Sequence, residues 1–170
     1  MRRETEVVLR GGLFAGLIGY FTIVVFFSAV NLIEGRSIFY TAALFGSALF
    51  FGLRDPSQLV ITAAPVLAFN MVHALVMLLV GFVMSWLVAK SEKYPLTQFA
   101  VLFALLFVGF HLFAAILLFA APLLGALGWI PLAIASVAAA VAMGWYLLRL
   151  HPFLRQALKD IQMGDVPPDE

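Results

Sequence analysis

His73 and His111 are the two residues of this chain whose type and placement could do chemistry. Each lies inside a long stretch, residues 56–89 and 94–148, that contains no Asp, Glu, Lys or Arg. An ionisable side chain is costly to bury in such surroundings, so it counts as a functional candidate by default. His73 lies seven residues from Val66 and His111 nine from Ala120, taken as the outer ends of two consecutive helices. At 1.5 Å of rise per residue, both sit about 10–14 Å below one boundary. Two imidazoles at one depth on neighbouring antiparallel helices could ligate a haem iron from both faces, as in a haem b site. They could equally hold a chlorin or a quinone.

The surroundings suit a flat ring. Asn70, Met77, Gly81 and Met84 continue the His73 face at helical spacing, and Ala104, Val108 and Ala115 flank His111. Arg36 and Arg54 fall on the same outer side, where they could meet propionates. The plainer reading is that each imidazole hydrogen-bonds Asn70, a Ser or Thr, or a backbone carbonyl and so joins two helices. It is preferred, because two histidines among four helices often match in depth by coincidence. A zinc or copper site on the same pair lacks the Cys or carboxylate that would complete its shell. His151, just after Arg149, reads as a solvated histidine at the inner surface.

Other chemistry lacks raw material. No carboxylate falls inside a charge-free stretch, so proton relays, paired-metal sites and acid–base pairs have nothing to use there. Phosphate-binding glycine loops, H-E-x-x-H and G-x-S-x-G are absent, and the chain reads as a non-enzyme. Zero cysteines remove disulfides and thiolate ligands. The net charge of +1 comes from basic residues spread along the chain rather than gathered in a patch, which points away from nucleic acid.

The elements that must position the histidines follow from the apolar runs. Of the 170 residues, 64% are hydrophobic and 11% charged, and mean hydropathy is +1.08. Soluble domains carry about 25% charged residues. A helix of about 20 apolar residues crosses the roughly 30 Å hydrocarbon layer. Membrane spans are expected at about 11–33, 66–89, 96–121 and 131–148. The first reads as an uncleaved span rather than a signal peptide, since no A-x-A site precedes Asn31. Residues 37–53 are apolar but short, and Asp55-Pro56-Ser57-Gln58 resembles a helix start, with Asp as N-cap and Pro at the first helical position.

Charge bias chooses between four spans and five. With four spans and a cytoplasmic N-terminus, Arg2, Arg3, Arg10, Lys90, Lys93, Arg149, Arg155 and Lys159 lie inside, and only Arg36 and Arg54 lie outside. Trp86, Tyr94, Trp145 and Tyr146 then gather at the inner interface, with Tyr40 and Trp129 near the outer one. The expected fold is therefore an all-α integral membrane protein. It has four transmembrane helices in one domain over residues 1–150, and an outer re-entrant or interfacial helix at 37–53. Residues 151–170 form a cytoplasmic amphipathic tail. Both termini face the cytoplasm, and the expected location is a bacterial inner membrane.

Small residues indicate how the helices meet. Gly12-x-x-x-Gly16 marks a close-approach face on the first span, and Ser136-x-x-x-Ala140-x-x-x-Gly144 marks one on the last, beside a second row through Ala135 and Ala139. Such rows let backbones approach where the hydrophobic effect cannot drive association. They can pack inside the bundle or dock another subunit. The function expected first is a non-catalytic subunit, partnered by lipid and other membrane subunits, that stabilises a larger complex of respiratory or photosynthetic type. The second is a b-type haem- or pigment-binding electron-transfer subunit using His73 and His111. The third is a small transporter or channel.

Overall fold

A computed structural model describes residues 2–91 and 127–151, and every regular element among them is helical. In chain order these are α1 (Arg2–Ile33), α2 (Tyr40–Phe50), a 3-10 turn (Pro56–Gln58), α3 (Ala63–Ser91) and α4 (Trp129–Leu150). Within them, Thr5–Ile33, Ala63–Lys90 and Trp129–Leu150 are long and apolar enough to cross a membrane. The expected span at 96–121, with His111, and the tail beyond His151 lie outside the described residues.

The ends of the helices have local causes. α1 stops where Gly35 takes a left-handed φ of 71°, which a side chain would resist. There the Gly35 N–H donates to the Leu32 carbonyl and the Arg36 N–H to that of Asn31, the paired bonds of a Schellman cap. α2 is shorter than the apolar run that contains it. Its 11 residues rise only about 16 Å, roughly half of a hydrocarbon layer. Asp55 does cap the turn after it, accepting from the Ser57 N–H at 2.9 Å. The helix begun there stops after three residues, and α3 starts only at Ala63. Val60, Ile61 and Thr62 form a β-branched run that favours extended backbone, while Pro65 is tolerated only in a first helical turn.

Packing follows the small residues. At Gly16 an added Cβ would lie 2.7 Å from the Leu78 Cα, and at Gly12 2.7 Å from the Phe82 Cα. Across from them, a Cβ on Gly81 would lie 2.8 Å from the Gly16 Cα. α1 and α3 thus meet backbone to backbone. α4 lies against another face of α1, where Met143 fills the space over Gly19. One core joins Ala15, Met77, Met84, Val88, Ala139, Met143 and Leu147, and a second joins Phe27, Phe45, Leu132 and Ala135.

These contacts fix the directions. Gly11, early in α1, adjoins Ser85 and Leu150, near the last turns of α3 and α4. At the opposite end Phe27 packs with Leu132, early in α4, and with Phe45 of α2. α1 is therefore antiparallel to both α3 and α4. α3 ends, and α4 begins, at opposite ends of the bundle.

The outer faces are as apolar as the inner ones. Leu67, Met71, Leu75 and Leu79 form a row along α3, each more than half exposed, as are Phe21, Val25, Val137 and Val141. Helices that are apolar all round are suited to lipid rather than water.

Candidate functional site

α3 directs His73 toward α1, into a stack of rings. Its imidazole lies 5.4 Å from the Phe69 ring at an interplanar angle of 27°, and Phe69 in turn stacks on Phe45 of α2 at 5.4 Å and 17°. Tyr20 of α1 closes the other side at 5.4 Å. Phe69 and His73 meet because residues four apart share a helical face. Phe45 reaches them because Gly46 lets α2 touch the first turn of α3, where any Cβ would fall on the Pro65 carbonyl.

Asn70, the partner expected for His73, is occupied elsewhere. Its Oδ1 accepts from the Tyr20 hydroxyl at 2.9 Å, and its Nδ2 donates to the Val66 carbonyl at 2.8 Å. Among the described residues, the buried Nδ1 of His73 has no hydrogen-bond partner. A neutral imidazole with a free ring nitrogen can accept a hydrogen bond or ligate a metal. No group of three or more His, Cys, Asp or Glu suited to a metal occurs among the described residues. His111 lies outside them, so the proposed axial pair has one described member.

Both arginines lie at the end of the bundle where α1 stops and α3 starts. Arg36 pairs with Glu34 at 3.0 Å and lies 4.5 Å over the Tyr40 ring. Nearby, buried Asn31 ties three segments together. It accepts from the Thr41 hydroxyl at 2.9 Å and donates to the Ile38 carbonyl at 3.2 Å. Arg54 instead lines a cleft of about 620 Å³ between the end of α2, the 3-10 turn and the start of α3. Asp55 lines it too. The Ser57 backbone N–H, helped by the Ser57 side chain, holds that carboxyl below its ordinary range, so it is ionised at neutral pH. Nothing in the sequence signalled the cleft, because its walls come from three segments.

The two small-residue rows have opposite surroundings. Gly12 and Gly16 are buried against α3. On α4 the inward row is Ala135, Ala139, Met143 and Leu147. Ala140 is exposed, the Ser136 hydroxyl bonds the Leu132 carbonyl of its own helix, and among the described residues nothing lies within 4 Å of a Cβ on Gly144.

Basic residues cap the other end. Lys90 lies 4.3 Å over the Trp86 ring and Arg149 3.6 Å over the Trp145 ring. Each pair is four residues apart in the last turns of its helix, where a cation also complements the helix dipole.

No protein-family model matches the chain, and no curated protein or solved structure shows significant similarity to it. Among the described residues the chain is a helical bundle with three helices long and apolar enough to cross a membrane.

Proposed function

We propose that the chain is a non-catalytic subunit of a larger membrane complex, anchored by four spans with both termini cytoplasmic in a bacterial-type inner membrane. The observation that carries the reading is the Ser136, Ala140 and Gly144 row. The row suits close helix approach, and among the described residues nothing covers it: Ala140 is exposed and nothing lies within 4 Å of a Cβ on Gly144, while Ala135 and Ala139 make the internal contact. In lipid, small residues at a helix surface favour association with another helix.

The four-span count draws support from the opposed ends of α3 and α4, with a charge-free stretch at residues 94–126 between them. The orientation draws support from Lys90 and Arg149 sharing one end with the N-terminal part of α1. α2 is the outer re-entrant or interfacial element. Phe45 packs with Phe27 and Phe69, which stand six residues in from the ends of α1 and α3, about 9 Å deep.

Purification in mild detergent followed by mass spectrometry tests the partner. Defined membrane subunits should co-purify with the wild type. Ala140→Leu should release them while leaving the chain's own thermal unfolding unchanged. Isolation of the chain alone, or full retention of partners by the variant, removes the proposal.

A second reading, a haem- or pigment-binding subunit, is favoured by one observation, the buried and unpartnered Nδ1 of His73. A Soret band in protein from haem-supplied cells, lost in His73→Ala and in His111→Ala, would establish it. A colourless protein removes the haem.

A further inference from the structure

The cleft beside α2 is the other built feature of the outer end, and neither the docking row nor the histidines make use of it. Its floor and walls combine Ser47, Gln58 and Thr62 with Phe51, Leu53 and Val60. At about 620 Å³ it falls within the range of small-molecule pockets. Its two charges are opposite and adjacent in sequence. Arg54 makes no ion pair among the described residues, and the Asp55 carboxylate keeps lone pairs beyond the one given to Ser57. With both signs on the lining, neither a simple anion nor a simple cation matches the whole of it. A molecule carrying both signs satisfies both.

The cleft also continues into an apolar track. Ala64 lines it, and Leu67, Met71, Leu75 and Leu79 follow at helical spacing, each strongly exposed. A polar mouth leading into an apolar row matches an amphiphile, and one that carries both charges in its headgroup is a zwitterionic phospholipid.

We propose that this cleft holds the headgroup of a zwitterionic aminophospholipid, with Arg54 on the phosphate, Asp55 on the primary ammonium and an acyl chain along α3. The assignment rests on the membrane placement proposed above. A guanidinium matches phosphate oxygens in a forked geometry. An ammonium with N–H groups can donate to the carboxylate, whereas a choline headgroup has no N–H to give. That difference makes the site selective for an amine over choline, and the carboxylate disfavours a purely anionic headgroup.

The test uses the full chain in nanodiscs containing equal parts phosphatidylethanolamine, phosphatidylcholine and phosphatidylglycerol of identical acyl composition. The readout is the lipid retained in native mass spectra. Phosphatidylethanolamine should be retained over the other two by roughly tenfold, the worth of one hydrogen bond to a charged group. Asp55→Asn, which keeps a capping side chain, should abolish the preference over phosphatidylcholine. Arg54→Gln should lower retention of all three.

Equal retention of the three lipids by the wild type, or a preference that survives Asp55→Asn, overturns the proposal. So does binding of free O-phosphoethanolamine as tight as that of the lipid, because the acyl track would then contribute nothing. Extraction of the chain from membranes by alkaline carbonate would overturn the membrane placement as well. An embedded chain with no headgroup preference overturns this inference alone.

Discussion

Asn31 shows how one polar side chain can organise an apolar bundle. It is 1% exposed, and its amide uses both ends, accepting from Thr41 and donating to Ile38. The loop after α1 is thereby folded back, and α2 is held against the bundle. Asn31→Ala strands the Thr41 hydroxyl and a backbone carbonyl, and leaving such groups unmet costs about 1–3 kcal/mol. Tyr20→Phe removes a single interhelical bond to Asn70, which in lipid is worth about 0.6 kcal/mol. Unfolding titrations in mixed micelles should rank the two losses in that order. An equal or reversed order would show that Asn31 is not the stronger tie. At the cleft beside α2, the depressed Asp55 carboxyl implies a cap present at neutral pH and lost as pH falls through its lowered folded pKa.

Helices with similar small-residue patterns behave differently according to what lies opposite. Gly16 sits on the Leu78 backbone, which cannot rotate away as a side chain could. Gly16→Ala should therefore destabilise the bundle by about 1–3 kcal/mol, the usual range for overpacking. Gly144 has open space around it among the described residues. Gly144→Ala in the isolated chain should raise stability by about 0.5–1 kcal/mol, since alanine restricts the unfolded backbone more. Thermal unfolding of the two variants in one detergent should give shifts of opposite sign. A loss of stability at Gly144 would mean that its surface is already covered within the chain. α2 presents the same contrast at short range. Gly46 is fixed by the Pro65 carbonyl, so α2 tolerates no added side chain at that contact.

Across the whole molecule, topology is the most exposed of the proposals to direct measurement. The chain lacks cysteine, so a single introduced thiol reports without background. Ser57→Cys should react with an impermeant reagent in intact cells, and Ser91→Cys should react only after the membrane is opened. Reaction of Ser91→Cys from outside would reverse the placement of α3 and favour five spans over four. Aromatic–cation pairs lie at both ends of the bundle, Arg36 over Tyr40 at one and Lys90 over Trp86 with Arg149 over Trp145 at the other.

The helical class and the long apolar elements are legible in the residues alone, because a charge-free run of 20 or so residues has few stable alternatives in lipid. The sequence located α1, α3 and α4 to within a few residues, apart from the polar start of α1. It also marked Gly12 and Gly16 as a close-approach face, because their spacing repeats with the helix. It could not say which face of α4 turns inward, since rows through Ala135 and through Ser136 look alike until α1 occupies one side. Nor could it show that Asn70 serves Tyr20 rather than His73, or that Asp55 starts a turn instead of a helix. Those outcomes depend on residues 50 apart in the chain and on how Pro65 meets Gly46, and only the tertiary structure brings such groups into contact.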